Sequence, residues 1–493
     1  MDRISVNGKR FVDEYGRTRI FSGINFGCKN ILLSDYEALP NVELTIKQML
    51  VNIRSKGINI IRLMMNWSLL EPEPNCYNQK AFDDIANVLD IAKELDMYVI
   101  LDMHQDLYST FQKKPSKRVF GDGAPYWACD TNGARHIQPR IIWASGYFFG
   151  KSVQNAFDNF WDNKVVEGRG LQEHFCALWA RLAVEFGNHD AVIGFDMLNE
   201  PFCDTNGMIF KSIAKGAIEM TLHSDEISKR RLLSSLFKKA PVSHLLEQYT
   251  PEVVHSITAS SHEAVRKFDI GRYADFLNRT SSAIREVNDD KILFFEHSYY
   301  SNTGIPFSFR GITRNGEKEK NQAFAPHAYD LMVDTPMYKY ADNGRVKAIF
   351  DQRYSEQQEM DLPVLVGEWG GGGLDTKWLH HADFLLDLFE KRQWSYCYWC
   401  YFTQIPEKTL DTLCRAHPVA VAGEIINYHY DRKGNSFSIS YNAEKCEMPT
   451  EIFLPSKPKS VSVNAECKIE DCFGAYKALI TAEDGRIDVK FTF

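Results

Sequence analysis

Eight short apolar runs, separated by amphipathic stretches, constrain this chain more than any other feature. They are IFSGIN (20–25), INIIRLMM (58–65), YVILDMH (98–104), VIGFDMLNE (192–200), ILFFEH (292–297), AFAPHAY (323–329), PVLVGEW (363–369) and SYCYWCY (395–401). Each is rich in β-branched and aromatic residues, and most end on a polar or charged one. Near-continuous apolar strands are those buried on both faces, which is the signature of a parallel sheet. Between them the helical period is clear: Phe82, Ile85, Leu89, Ala92 and Leu95 recur at three- and four-residue steps, with Asn78 as the expected N-cap. Eight β-α units in succession specify a (β/α)8 barrel with insertions.

The ends of the chain read differently. ISVNGKRFVDEYGRTRIF at the front has the form of a hairpin with Asn-Gly and Tyr-Gly turns, placed to cap the barrel bottom. Beyond residue 405 the helical period gives way to alternation, as in SFSISYN, KSVSVNA and RIDVKFTF. The expected organisation is a catalytic barrel over 1–405 and a small antiparallel β-sandwich over 406–493. The length of 493 residues suits one large domain and one small one.

Composition excludes several functions. The net charge of -8 argues against nucleic acid as a partner, since phosphate binding needs a basic face. No run reaches the ~20 apolar residues that span a bilayer. The 11 cysteines are scattered and form no zinc-ligand spacing, so reduced thiols are expected. No metal or organic cofactor is implied. No secretory leader is visible at the front, and localisation is left unknown: cytoplasmic, exported by another route, or secreted after leader removal.

In such a barrel, a polar residue at the C-terminal end of a strand faces the active-site bowl. This chain supplies Arg62 on the second strand, His104 and Asp106 on the third, and Asn199 and Glu200 on the fourth. The fifth gives Glu296 and His297, the sixth His327 and Tyr329, the seventh Glu368 and the eighth Trp399. Glu200 and Glu368 therefore lie across the mouth from each other. Two carboxyls ~5–5.5 Å apart serve a retaining glycosidase, one attacking the anomeric carbon and the other protonating the leaving oxygen. Glu368 is the expected nucleophile, kept ionised by Tyr329 and Arg62, and Glu200 the expected acid/base with a raised pKa. Asn199 is placed to meet a sugar 2-hydroxyl, and Trp399 offers a ring face for a pyranose. Two insertions, roughly 105–190 and 202–275, are long enough to be functional. The first is dense in aromatics, which suits a groove for an apolar aglycone.

The order Arg62, His104, Asn199-Glu200, His327-x-Tyr329, Glu368 and Trp399 resembles the retaining glycoside hydrolases of family five. GINFGCKN (23–30), LDMHQDLYS (101–109), GDGAPYWA (121–128), DMLNEPF (196–202) and PVLVGEWGG (363–371) are similar to the endoglycoceramidase group of that family. The resemblance spans about residues 20–401 and implies hydrolysis of the β-linkage between glycan and ceramide of glycosphingolipids. It also implies that Lys29 and Asp106 hydrogen-bond the first sugar, and it fits an appended β-sandwich. A glycolipid substrate brings contact with a membrane or micelle surface, by a chain expected to be a monomer. The alternatives are a β-glucosidase acting on glucosylceramide or a steryl glucoside, a polysaccharide endoglucanase, and a non-catalytic carbohydrate- or lipid-binding barrel. The last ordinarily lacks one of the two carboxylates, and both are present here.

Overall fold

The computed structural model describes residues 1–493 apart from 40–41, 113–119, 140–142, 224–225, 236–243, 245 and 336. The eight apolar runs form the eight strands of a parallel barrel: Ser22–Phe26, Ile60–Met65, Tyr98–Met103, Val192–Asp196, Ile292–Phe295, Gln322–Phe324, Leu365–Val366 and Ser395–Tyr401. Consecutive strands pair in parallel, and the eighth pairs with the first. The ring closes between the sixth and seventh through the bridges Phe324–Val364 and His327–Glu368.

Side chains alternate across a strand, so every second residue points into the barrel. The lower inward positions are apolar: Ile60, Ile100, Phe294, Ala325 and Cys397 form one buried cluster. One or two steps nearer the rim the same faces turn polar, with Arg62, Asp102, Asp196, Glu296 and His327 all buried. Strand register sets Arg62 beside Asn25, and Asp102 beside Asp196. Gly367 makes room for this layer, because a Cβ there would lie 2.6 Å from His327 Nε2.

The N-terminal hairpin, Ile4–Asn7 with Arg10–Asp13, does two things. Phe11 plugs the barrel bottom against Phe21 and Phe294, at ring distances of 5.7 and 6.1 Å. The short strand Thr18–Arg19 then pairs with His417–Val421, which makes the hairpin part of a seven-stranded antiparallel sheet completed by C-terminal strands. A four-stranded sheet (Gly423–Asp431, Ser436–Ala443, Gly485–Thr492 and Ser460–Val463) packs against it over a core that includes Ile425, Phe437, Tyr441, Ile452, Ile480 and Phe491. The C-terminal sandwich thus borrows three strands from the front of the chain.

The helix after the second strand spans Gln79–Glu94 and starts directly after Asn78, as the spacing predicts. Asn78 does not cap it with its side chain, however; its Nδ2 donates instead to the Leu69 carbonyl at 3.1 Å.

Arg17 ties the two ends of the chain together. Its guanidinium donates to Asp13 at 2.8 Å, Asp2 at 2.7 Å, Glu451 at 2.9 Å and the Pro449 carbonyl at 2.8 Å. Removing one partner of a buried ion pair strands the other, at a cost of about 3 kcal/mol or more. Arg17→Ala is therefore expected to lower stability in urea unfolding by that amount. Glu451→Gln, at a partner more exposed than Asp13, is expected to cost under about 1 kcal/mol. Equal effects would contradict this account.

Candidate active site

A cavity of about 400 Å³ opens at the C-terminal end of the barrel. Eight of the ten residues expected to form the site line it: Lys29, His104, Asp106, Asn199, Glu200, Tyr329, Glu368 and Trp399. Arg62 and His327 do not. Both are fully buried in the floor beneath it. Each instead holds residues that do.

Arg62 is the centre of that floor. It bonds Asp196 at 2.8 Å, Glu296 at 2.6 Å, Glu368 at 3.1 Å, and the Asn25 and Asn199 side-chain oxygens at 3.0 Å each. Asp102 completes the set at 2.8 Å. One cation faces four carboxylates in a buried layer, and a buried charge without compensation is costly. The layer therefore keeps protons. Burial lifts Asp102 to about 6 and Glu296 to about 8, against the pull of Arg62 and His327.

His327 sits between the two catalytic candidates. Its Nδ1 lies 3.2 Å from Glu200 Oε1 and 3.6 Å from Glu368 Oε2, and its Nε2 lies 3.3 Å from Glu296 Oε1. Burial alone would lower its pKa, but these carboxylates raise it well above the ordinary histidine value, so it is an imidazolium. One oxygen of Glu200, one of Glu368 and a ring nitrogen of His327 all lie within 4.8 Å of one another. Tyr329 donates to Glu368 Oε2 at 2.8 Å, and Asn302 Nδ2 donates to Glu200 Oε1 at 2.8 Å.

The proton order is the reverse of the one expected. Burial pushes Glu368 up to about 7, and the Glu200 charge adds to this; His327, Arg62 and Tyr329 only partly offset it. Burial also pushes Glu200 up, but His327 and Asn302 outweigh that and hold it below the ordinary carboxylate value. The cause is positional, since the imidazolium is nearer Glu200 and bonds to it directly.

The opposite wall is built around Lys29. It pairs with Asp106, lies 3.6 Å from Asp122, and sits over the Trp399 ring at 5.0 Å. His104 stacks on Trp399 at 5.2 Å and bonds Asp102 at 2.8 Å. Burial and Lys29 hold His104 well below the ordinary histidine value, so it is neutral. Asn199 commits one N–H to the Gln105 carbonyl at 3.1 Å and its oxygen to Arg62, leaving one N–H for a ligand.

Of the aromatic insertion, Phe120 and Trp143 reach the cavity. Tyr108, Tyr147, Phe160 and Trp161 are buried and fasten the segment to the barrel. Residues 113–119 and 140–142 of that insertion lie outside the described residues. Trp143 Nε1 donates to Asp334 across the mouth, from the loop after the third strand to the loop after the sixth.

Several functional residues were not singled out from the sequence. Asp102 and Asp196 left a signal, as acids inside otherwise apolar strands. Asn302, on a short helix after the fifth strand, left none. Glu296, a strand-end residue with no assigned part, is placed to position Glu200. Its Oε2 accepts the Glu200 backbone N–H at 2.7 Å while its Oε1 meets Arg62. Glu200 has φ +42°, a left-handed conformation costly for a side chain of this kind, and this contact helps to hold it there.

Comparison with known proteins places this geometry. Residues 21–229 and 262–404 match the family model "Cellulase (glycosyl hydrolase family 5)". Residues 415–478 match the "Glycoside hydrolase family 5 C-terminal domain". The chain belongs to glycosyl hydrolase family 5. An endoglycoceramidase of Hydra vulgaris is 29% identical over 233 residues, 43% of this chain and 42% of that protein. One from Cyanea nozakii is 22% identical over 482 residues, 89% of this chain and 81% of that one. The solved structure of endo-glycoceramidase II from Rhodococcus sp. in complex with ganglioside GM3 superposes with a TM-score of 0.73 at 22% identity, covering 99% of both chains.

Glu296→Gln keeps the size of the side chain but cannot accept from both Arg62 and the Glu200 N–H. It is expected to lower kcat/KM on an aryl β-glucoside by about a hundredfold through misplacement of Glu200, and to shift the pH profile. A loss of stability with an unchanged profile would reduce Glu296 to a structural role.

Proposed function

We propose that this protein hydrolyses the β-glycosidic bond between glycan and ceramide of glycosphingolipids, with retention, through Glu368 as nucleophile and Glu200 as acid/base. The observation that carries it is the close approach of one oxygen from each carboxylate, within the 4.8 Å group that includes His327. An inverting enzyme needs ~6.5–9.5 Å to admit a water between them. The substrate class rests on the relatives named above. It is consistent with a cavity that sets Lys29, Asp106 and Trp399 for a sugar and also exposes Leu331, Val333 and Phe402 to a ligand.

Two strongly interacting acids titrate as a pair. Between the low value of Glu200 and about 7, where the pair gives up its last proton, the two share one proton. Glycosylation draws on the arrangement with that proton on Glu200. There the Glu200 charge that raises Glu368 is gone, and Arg62, Tyr329 and His327 favour the Glu368 carboxylate. A glycosidic oxygen seated beside Glu200 accepts its proton as a hydrogen bond and selects this arrangement. Glu368 then attacks the anomeric carbon, Glu200 protonates the departing ceramide oxygen, and Glu200 as carboxylate next takes a proton from the water that opens the glycosyl-enzyme ester. The remaining Asn199 N–H is placed for the 2-hydroxyl.

The pair gives a signed pH prediction. For a glycolipid, kcat/KM is expected to fall above about pH 7, as the proton needed by the leaving group is lost. With a dinitrophenyl glycoside, which needs no acid, that alkaline limb is expected to vanish. In Glu200→Gln the Glu200 charge that adds to the effect of burial on Glu368 is absent, so the acid limb on that substrate should move to lower pH than in the wild type. An alkaline limb that persists on dinitrophenyl substrates would assign the titration to another group.

Glu368→Gln is expected to abolish turnover with the fold and ligand binding intact. Glu200→Ala is expected to lose about 10²–10⁴-fold on glycolipid, and azide should restore turnover of activated aryl glycosides as the glycosyl azide. Wild-type rates in the first variant, or no azide product in the second, would overturn the roles.

One observation favours a second reading. The Trp143–Asp334 contact crosses the mouth, and a closed mouth suits a β-glucosidase acting on glucosylceramide or a steryl glucoside. Glucosylceramide, lactosylceramide and a ganglioside offered in mild detergent separate the two. Release of intact oligosaccharide supports the endo reading; glucose from glucosylceramide alone supports the other.

A further inference from the structure

The segment after the fourth barrel strand contains a helix, Met208–His223, that turns apolar side chains towards water. On one side, Ile213, Ala217 and Met220 pack against a cluster formed by Ile227, Val253 and Ile257. The other side carries Met208, Lys211, Lys215, Ile218 and Leu222 at three- and four-residue steps, all exposed. Met208 is 67% exposed, Ile218 59% and Leu222 54%. The next helix, Lys229–Ser235, adds exposed Lys229, Arg230, Arg231 and Leu233. Residues 208–235 contain five Lys/Arg (211, 215, 229, 230, 231) against three Asp/Glu (219, 225, 226), a local excess of positive charge in a chain of net -8. Lys215 lies 3.7 Å from Glu219, at the edge of the face.

The root of this helix is fastened to the cavity wall. Asp204 accepts the Ile209 and Phe210 N–H groups at 2.7 and 2.9 Å and the Tyr300 hydroxyl at 2.8 Å. Phe210 stacks on Phe148 at 4.8 Å, and Phe148 lies 6.2 Å from Tyr299, which lines the cavity. Phe149, 5.0 Å from Phe210, is itself exposed. The root of the helix that carries the apolar and basic face is thus two ring contacts from Tyr299 in the cavity wall.

We propose that the outer face of Met208–His223, with the basic helix that follows, docks the protein on an anionic lipid bilayer so that the mouth of the cavity meets the membrane. The occupant follows from the pattern. Large apolar side chains interleaved with lysines match the acyl–headgroup boundary, where apolar groups sink and cations meet lipid phosphates. Exposed apolar patches of this kind mark interaction sites. The proposal rests on the glycolipid reading for its purpose, because a ceramide anchored in a leaflet is reached only from the surface of that leaflet.

The test is co-sedimentation of the full chain with vesicles of phosphatidylcholine alone and of phosphatidylcholine with phosphatidylserine. Binding is expected to the anionic vesicles and far less to the neutral ones. M208S/I218S/L222S is expected to lose that binding, and K229Q/R230Q/R231Q to weaken it about a hundredfold. Both variants should hydrolyse a soluble aryl β-glucoside and a detergent-dispersed glycolipid at wild-type rates, and fail on the same lipid in vesicles. Wild-type protein that ignores anionic vesicles, or variants that bind them as the wild type does, would overturn the docking surface. So would a dimer in sedimentation that the apolar variant loses, since the face would then belong to a second copy. Protein that binds anionic vesicles but cleaves glycolipid in neither vesicles nor detergent would overturn the substrate reading and uphold the docking surface.

Discussion

The guanidinium of Arg62 is the interaction on which the site depends. It is fully buried and holds side chains from the first, third and fourth strands together with Glu296 and Glu368. A planar fork with five donors is suited to this, since its bonds fix orientation as well as charge. The consequence is electrostatic. One cation among four carboxylates leaves a layer that is short of positive charge, and the imidazolium of His327 answers part of that shortage. The Glu200–Glu368 pair lies just above this layer, so its protons are set by the floor as much as by solvent.

The fold makes that layer affordable. Below it the barrel is filled by Ile60, Ile100, Phe294 and Cys397, and closed at the bottom by Phe11 of the hairpin. Water is thereby kept from reaching the floor from beneath. The hairpin in turn is held by Arg17, which pairs with Asp13 and with Glu451 of the C-terminal sandwich. The sandwich supports the barrel's lower end, far from the mouth. The insertions after the third and fourth strands shape the other end, where Phe120 and Trp143 line the cavity and the Phe148–Phe210 stack packs by Tyr299.

Much of this was legible in the sequence because it is local. The strands are apolar runs, and their polar ends mark the rim; Glu200, Glu368 and Trp399 fall where that pattern puts them. Depth was not legible. Arg62 is the third residue of a six-residue strand, below the rim, and His327 sinks into the space beside Gly367. Both therefore act from beneath the cavity. Long-range pairing was equally hidden: nothing local to Thr18–Arg19 shows that it pairs with His417–Val421. The capping role expected of Asn78 failed because a carbonyl outside the helix competes for its side chain.

The proton order shows why such a site resists reading from composition alone. Glu200 and Glu368 are the same residue type, both buried, both in contact with His327. What separates them is 3.2 Å against 3.6 Å to one imidazolium nitrogen and the other donors each meets, Asn302 for Glu200 and Tyr329 and Arg62 for Glu368. In the resting pair the single proton therefore lies on Glu368, and a ligand that accepts a hydrogen bond from Glu200 is needed to move it. A proton that a ligand can move suits a double displacement, in which Glu200 must first give a proton and later take one. A site that fixed the proton permanently on either carboxyl would favour one half-reaction at the expense of the other. The glycosidic oxygen tips the pair in the first step; in the second, Glu368 is held as an ester and Glu200 alone takes the proton of the attacking water.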